Sequence, residues 1–528
     1  LAFYLFITHF IEYLILVKLS QYYFVRINTI LIMKKSFTTF VLASIMASSA
    51  TAQNLEFVRS IPIPGVRSNT RQIKKTSDNN FITVGTTTRL NNVGQNQTDI
   101  SITKINPDGD TLWVKFLDQP SSLEFAQDFE IKDNGDILIG GLKLVDTGEE
   151  LGLLICTDAG GNLLWEKTYG ETGKVWEFRT IKLTPDAILL GGVRIDEDGD
   201  NDALIVKADL GGNLLWSQTV GGPEYEDAWD IEVHPSGGYV FTGGSYSFAQ
   251  GEEDDAWIVK LHENGDFAWR KMYGTPDMID WAWRFVPSLD ANGMIDGYVF
   301  TGLKESGTPG TQGQLMGTIH FIKVDTAGNV VWDKSIVAPN GQLRKEGTDI
   351  TMTSDGGFAI CGWGFYHIPG TLNINAAIQF LKSDNQGNIT HEILFDPNGK
   401  DYFARSIVEY EPNNFYISGT MTNPDFNDSI FVAKVSIKGN SVARRDNSQP
   451  KFDIFPNPTN DYITISNTGQ SKAKEVQIYS IEGRFLKSIA LIGAQQTTLS
   501  LAGYSGQTLI IAIIDDKGDV SKSKIIVN

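Results

Sequence analysis

Cysteine is nearly absent: Cys156 and Cys361 are the only two in 528 residues. No disulfide framework can hold such a chain together, even after export, and both residues stand in apolar runs that read as buried strand. Histidine is sparse too. His9, His234, His262, His320, His367 and His391 are scattered, with no two at metal-ligand spacing. A G-x-S-x-G elbow and a phosphate-binding glycine loop are both missing, which removes the most readable signatures of a serine nucleophile and a nucleotide site. Basic residues are in deficit, 44 Lys and Arg against 63 Asp and Glu, for a formal charge of −19. That balance argues against nucleic acid or an anionic membrane surface as partner; cations and neutral polymers fit better.

What the chain does contain is repetition, in a composition with 41% hydrophobic residues, enough for packed cores. The stretch Asn201 to Gly222 is a hairpin in one line: Leu204, Ile205 and Val206 make a strand, Asp209 closes it, Gly211 and Gly212 turn, and Leu214, Leu215 and Trp216 start the return. Trp113, Trp165, Trp216, Trp269 and Trp332 share that register, His391 takes the sixth place, and a seventh unit runs from Asp401 to the Gly439-Asn440 turn. The unit ending at Trp332 is lengthened by an insertion around Gly307 to Gly317. Each unit also carries an upstream strand ending in glycine, such as Tyr239–Gly244 and Phe358–Gly362, and an earlier one such as Asp230–Val233. Four short strands per unit make a β-propeller blade.

The segment Asn54 to Ile61 aligns with Asn162 to Tyr169, so the chain opens with an outer strand that has no blade of its own. It is expected to complete the seventh blade, with Phe57 in the tryptophan's place, and so remove an open edge. Ser441 to Arg444 is the other source of that strand, which keeps six or eight blades open. An antiparallel hairpin about Gly211-Gly212 sets Lys207 across from Trp216, and Lys104, Lys260, Lys323, Lys382 and Lys434 recur there; stem packing and a cation–π contact are available. Cys156 holds that position in the second unit, which marks it as structural. The D-x-x-G-x-x-x-W pattern resembles the tryptophan-docking repeats of quinoprotein propellers in fold only. The turns differ in spacing from the aspartate boxes of sialidase propellers.

Candidate site residues lie on or beside the first strands. Arg71, Asp128, Arg179, Asp230, Arg284, Asp349 and Arg405 form a polar belt of alternating sign in one alignment. Matching Pro185 to Pro235 instead pairs Thr180 with Asp230, and a one-residue slip reverses faces. The belt reads first as inter-blade ion pairs lining a channel, and second as an anion or sugar site. On the loop face, Trp176, Tyr225, Trp229, Asp280, Trp281, Trp283 and Tyr402 are candidate ligand-binding residues near the acidic runs Asp196–Asp202 and Glu252–Asp255. Aromatic platforms with acidic neighbours suit neutral glycans, although packing between blades accounts for many such tryptophans. Asp196, Asp198, Asp200 and Asp202 could offer oxygen ligands to calcium, without the distal glutamate of an EF-hand; a solvated hairpin tip accounts for them as well. Carboxylates abound, so a glycosidase pair is open, but nothing singles one out.

The ends carry the address. The reading begins at Leu1, and residues 1–32 are expected to be an upstream translated extension before a start at Met33. Lys34-Lys35, the apolar run Phe37–Ala47 and Ala50-Thr51-Ala52 make a signal peptide over 33–52. Residues 2–17, interrupted by Glu12 and ended by Lys18, are short for a membrane anchor. The propeller is expected over 53–443, a linker over 444–452, and a small β-sandwich over 453–528.

The last segment holds Pro456-Asn457-Pro458, the strand and turn Ile478-Tyr479-Ser480-Ile481-Glu482-Gly483-Arg484, and a basic terminal strand with Lys524. In this order it resembles the C-terminal sorting domain of type IX secretion cargo in Bacteroidetes, although the G-x-Y of that pattern is Gly506-Gln507-Thr508 here. The resemblance implies Sec export, passage through the outer membrane by the type IX machinery, and removal of the domain on release or attachment to surface lipopolysaccharide, with cleavage near Ser448. No stable transmembrane segment is expected in the mature protein. The sequence therefore favours a secreted or surface-displayed binding protein for extracellular glycan or another neutral polymer. A polysaccharide hydrolase or lyase using carboxylates at the channel mouth is the second reading, and a non-catalytic adhesin or surface scaffold the third.

Overall fold

A computed structural model describes residues 55–437 and 452–528, except 64–66, 91–95, 118–121, 252, 277, 306–316, 337–341, 368–373, 396–399, 423–427, 457–458, 468–471, 481–484, 492–495 and 516–519. The expected extension, signal peptide, linker, Gly439-Asn440 turn, alternative strand Ser441–Arg444 and most of the insertion at Gly307 lie outside those residues. The chain divides into two compact units, Leu1–Lys438 and Gly439–Asn528. Both are all-β, with no helix among the described residues.

The larger unit is propeller-like, a succession of antiparallel four-strand meanders. Their first strands are Arg67–Lys75, Ser122–Ile131, Val175–Leu183, Asp230–Val233, Asp280–Leu289, Gln342–Met352 and Asp401–Glu411. The fifth and sixth meanders share one sheet through a single parallel pair, Gly317 with Arg344. The seventh takes its fourth strand from the other end of the chain: Leu55–Ile61 pairs antiparallel with Asp428–Ser436. Ile61, Ile73, Phe81, Ile105, Tyr416, Ile430 and Val432 then form one apolar cluster from the two ends of the unit.

The first strands share a device that explains the glycines ending each second strand. The register slips by one residue between Ala126 and Asp128, Phe178 and Thr180, Ala282 and Arg284, and at the matching places of the first, sixth and seventh meanders. Opposite the bulge stand Gly85, Gly141, Gly192, Gly302, Gly362 and Gly419, where a Cβ would lie 1.8–2.1 Å from a carbonyl oxygen of the first strand; in the fourth meander, whose first strand has no slip, Gly243 approaches the Asp227 carbonyl ahead of that strand at 2.2 Å. Only glycine admits that approach.

Lys207 faces Trp216 as the hairpin demanded, and Lys104, Lys260, Lys323 and Lys382 face Trp113, Trp269, Trp332 and His391; Lys434 faces Phe57. The expected cation–π contact with the opposed tryptophan is replaced by another arrangement. Lys104, Lys323 and Lys382 reach aspartates of an earlier turn or strand, Asp78, Asp296 and Asp355, while Lys207 lies 5.5 Å from the Tyr239 ring of the next meander. The tryptophan packs on the next meander instead, beside the turn glycine: a Cβ on Gly212 would stand 2.8 Å from the Trp165 ring, and one on Gly109 2.8 Å from Phe57. Where Cys156 replaces the lysine, Lys132 supplies the cation from the turn, 3.7 Å from Cys156 Sγ and 5.7 Å from the Trp165 ring centroid.

The smaller unit is a sandwich of a three-stranded and a four-stranded sheet. Ile463, Ile465 and Leu499 from one sheet meet Val476, Ile478, Leu509 and Ile511 from the other. Tyr479 pairs with Phe485 and Ile510, and its hydroxyl donates to Gln477 Oε1 at 2.6 Å; Lys524 pairs with Ile510 in the last strand. Pro456 is described; Asn457, Pro458, Gly483 and Arg484 lie outside the described residues.

Candidate functional site

The bulge decides which side chains share a level. Counting from it, the belt is Gln72, Asp128, Thr180, Arg284, Asp349 and Ser406, each at the first paired position after the slip, together with Asp230, the first paired residue of its strand. Arg71, Arg179 and Arg405 fall one residue earlier, on the bulge itself. The alternation of seven charges expected from the sequence is thus corrected to three aspartates around one arginine. Arg284 Nη1 lies 3.0 Å from Asp128 and 3.5 Å from Asp230, and it donates to Thr180 Oγ1 at 3.3 Å. Asp349 lies close enough for its charge to act on Arg284.

These aspartates also tie neighbouring meanders together. Asp128 accepts the N–H of Ile181, Asp230 that of Phe285, and Asp349 that of Ile407; Ser406 Oγ accepts the N–H of Ile73. Burial pushes Asp349 up to about 6 and raises Asp230, against the opposing pull of Arg284. Two residues further on, Lys74 meets Glu130 at 3.1 Å and Lys182 meets Glu232, a charge row that the sequence reading missed. Its signal was alternation at a spacing of two from the belt.

Four of the loop-face candidates come together. Tyr225, Trp229, Trp281 and Trp283 are half-buried. Trp229 meets Trp283 edge-on at 4.7 Å, and Trp283 lies 5.0 Å from Trp281. Asp227 fixes the near end by accepting from Arg179 Nη1 at 2.6 Å, Tyr225 at 2.5 Å, Trp229 Nε1 at 2.6 Å and the N–H of Gly244 at 2.7 Å. The Arg179 guanidinium lies 4.4 Å from the Trp229 ring. Burial raises the Tyr225 phenol far above its ordinary range, so it stays a donor. With three donors on Oδ2 and one on Oδ1, Asp227 anchors the cluster.

At the other end Trp281 Nε1 donates to Asp254 at 3.4 Å. Burial pushes this half-buried carboxyl up to about 6.

Other candidates are placed elsewhere. Tyr402 is 1% exposed, in the core of the last meander against Phe431, and Trp176 is buried against Phe178 and Tyr169. A strand residue facing inward cannot serve a loop-face ligand. Asp280, 0% exposed, accepts the N–H of Thr275, and burial pushes it up to about 7; it supports the loop from beneath.

Asp196 and Asp202 turn toward Arg194, at 3.1 and 3.4 Å, and Asp198 and Asp200 belong to the hairpin tip around Gly199. Among the described residues no three His, Cys, Asp or Glu are arranged to hold a metal.

A second aromatic group escaped the sequence reading. Trp363 lies 5.1 Å from Phe365 and 5.4 Å from Phe403, with the Arg344 guanidinium 5.9 Å from its ring and Glu346 3.3 Å from Arg344. Its parts come from two meanders, so only the register of the fold assembles it.

Residues 453–528 match the secretion system C-terminal sorting domain. The chain therefore carries a type IX sorting tail, which marks it for secretion and cell-surface attachment and for contact with that machinery. No curated protein matches the chain. Among solved structures it is similar to a catalytically inactive virginiamycin B lyase from Staphylococcus aureus with quinupristin, at 12% identity, TM-score 0.38, covering 71% of this chain and 98% of that one. A Penicillium chrysogenum alpha-L-arabinanase complexed with arabinobiose gives 9%, 0.37, 72% and 98%, and the NanB sialidase of Streptococcus pneumoniae 9%, 0.38, 72% and 70%.

Proposed function

We propose that this protein is a surface-displayed glycan-binding protein: a seven-bladed propeller, closed by its N-terminal strand, exported behind the leader 33–52 and delivered by its sorting tail. Closure is supported by the pairing of Leu55–Ile61 with Asp428–Ser436 and by the bond from Ile73 N–H to Ser406. The observation that carries the binding reading is the run of half-buried indoles Trp229, Trp283 and Trp281, braced by Arg179 and Asp227 at one end and Asp254 at the other. Preformed aromatic faces with polar groups at their rims suit pyranose rings, which present C–H faces and equatorial hydroxyls.

A hydrolytic reading has one observation in its favour, the raised carboxyl of Asp254, protonated at mildly acidic pH beside the indoles. Asp227, which holds Arg179, Tyr225, Trp229 and the Gly244 N–H, serves the cluster as its anchor. The test is retention of the full secreted chain on a panel of immobilised polysaccharides, with release of soluble sugar followed in parallel. Retention without products, weakened at least about tenfold by Trp283→Ala or Trp281→Ala, is expected. Products abolished by Asp254→Asn would replace binding with hydrolysis, and retention indifferent to both tryptophans would overturn the site.

A further inference from the structure

At three places where one meander meets the next, two carboxyls come together. Asp99, Asp202 and Asp255, each five residues before Lys104, Lys207 and Lys260, meet Glu124, Glu226 and Asp280, each four residues before Asp128, Asp230 and Arg284. In every pair one charge acts on the other, and all six except Asp202 are at most 1% exposed. Two buried carboxyls side by side need a cation or a proton between them. The first pair has cations: Arg89 Nε lies 2.8 Å from Asp99, and Lys143 Nζ lies 3.0 Å from Glu124. In the second, Arg194 faces Asp202 across the strand pair with Nη2 3.4 Å away, while Glu226 accepts from the Gly222 and Ser247 N–H groups and the Ser245 hydroxyl.

The third pair is built the same way but lacks the cation. Register sets Ser245 across from Asp255, where Arg194 stands for Asp202, and the Ser245 hydroxyl goes to Glu226 at 2.8 Å. Asp255 accepts the Gln250 N–H at 2.7 Å, and Asp280 accepts the Thr275 N–H at 2.5 Å. Asp255 Oδ1 lies 1.8 Å from where a Cβ of Gly274 would stand, so both carboxyls bear on the one turn Gly274-Thr275. Asp280 Oδ1 is buried with no donor, and no Lys, Arg or His bonds to either carboxyl among the described residues. Lys304, across from Asp280, draws it down but seats its ammonium on Asp333 at 3.4 Å. His320, bonded to the Trp281 backbone, is pushed down by burial to about 3 and stays neutral. Glu305 accepts the Ile279 N–H, and the charges facing Asp254, those of Asp227, Glu253 and Glu226, are all negative. A proton is what remains to hold the pair together, and burial keeps Asp280 up at about 7.

We propose that Asp255 and Asp280 hold one proton between them, and that this proton seats Trp281 in the glycan site, so that ligand is kept while it is bound and released when it is lost. The proposal rests on the glycan-binding reading and adds the regulation of that site. Asp280 is joined directly to Trp281, and Asp255 to Asp254, the acceptor of the Trp281 indole N–H. The Asp280 N–H also donates to the Asp254 carbonyl at 2.8 Å. Loss of the proton leaves two like charges on one turn, and their repulsion acts on the two peptide links that set the indole against Asp254. The ionisation of Asp254 itself works in the opposite sense. It comes first, at about 6, and gives the indole N–H a stronger acceptor.

Acrylamide quenching of the full secreted chain, less that of Trp281→Phe, follows this indole without any ligand from pH 5.5 to pH 9. Its accessibility should rise at least about twofold through a step near pH 7. Asp280→Asn, which cannot ionise, should remove the step, and Asp255→Asn serves if that variant fails to fold. Polysaccharides of the immobilised panel that are retained at pH 6 should be held at least about tenfold more weakly at pH 9 by the parent, and less than about twofold more weakly by the asparagine variant. Accessibility that does not change with pH, or a step that survives both variants, overturns the proton assignment and leaves the glycan reading standing. A step with no polysaccharide retained at any pH overturns the glycan reading and the regulatory role with it. Retention that ignores the step overturns the regulatory role alone.

Discussion

Arg284 is the single cation among Asp128, Asp230 and Asp349, contributed by meanders two, four and six, and its replacement by methionine tests the central electrostatics of the larger unit. Its contacts at 3.0 and 3.5 Å join carboxylates that also hold backbone N–H groups of the next meander, so the aspartates cannot swing away to water when the arginine is lost. Breaking a buried ion pair by deleting one partner costs about 3–5 kcal/mol, because a charge is left uncompensated. Arg284→Met should therefore lose about that much stability at pH 7.5.

The loss should shrink at pH 5. Burial already places Asp349 at about 6 and raises Asp230 with Arg284 present, and without it both carboxyls rise further and bind protons. Each pK unit by which a proton relieves the folded state is worth about 1.4 kcal/mol, so a difference of about 1–3 kcal/mol between the two pH values is expected. Arg284→Met combined with Asp128→Asn should recover a similar part of the loss at pH 7.5. Urea unfolding of the full chain at both pH values measures it. A loss below about 1 kcal/mol at pH 7.5, or an equal loss at both, would refute the claim that this arginine compensates buried charge.

Acidification should stabilise the parent protein. Burial holds Asp254 and Asp349 at about 6, Asp280 at about 7 and Glu150 at about 8, all above the 3.8 or 4.5 of the free groups. The folded state then binds more protons between about pH 8 and pH 4, so stability rises as pH falls through that window, and it turns down below about pH 4 as turn aspartates such as Asp209, held low by Asn213, are protonated. A melting midpoint that climbs from pH 5 to pH 8 would contradict this. Gly302→Ala should cost about 1–3 kcal/mol or more, because its Cβ would meet the Trp281 carbonyl oxygen at 1.9 Å, whereas Gly211→Ala, with its nearest atom at 3.4 Å, should stay within about 0.5 kcal/mol; equal melting shifts would refute the bulge argument. Deleting Leu55–Ile61 uncovers the edge of Asp428–Ser436, and size-exclusion chromatography should show self-association; an unchanged monomer with the parent's melting midpoint is the refuting result. A reporter carrying residues 453–528 behind a signal peptide should reach the surface of a type IX-competent cell, and periplasmic retention would count against the tail's sufficiency.

Much of the architecture was legible because it is written in short-range patterns. Turn residues at fixed offsets set the Lys207–Trp216 register, and the same offsets pair Lys434 with Phe57 across nearly the whole length of the unit. The role of the tryptophan was harder to read, since its partner is a glycine of the next meander, and nothing in one repeat says what the next will bring against it. The compensation of Cys156 by Lys132 was hidden for the same reason: the cation arrives from a turn two strands earlier.

The site was less legible because a β-bulge is a one-residue event, and one residue is the whole difference between two faces of a strand. The glycines that permit the slip were visible as strand ends, but their cause, a carbonyl about 2 Å from where a Cβ would be, is a contact between strands. Once the slip is counted, Arg179 leaves the belt and joins Asp227 and Trp229, while Arg284 stays among the aspartates. The same shift separates two roles that one row of residues blurred together. Aspartates at the paired position hold meanders to each other through backbone N–H groups, and residues on the bulge do so through side chains, as Arg179 does with Asp227 and Gln127 with Glu177. Substitution of Asp128, Asp230 or Asp349 by alanine should therefore lower the melting midpoint of the full chain, and an unchanged midpoint would refute their role as latches.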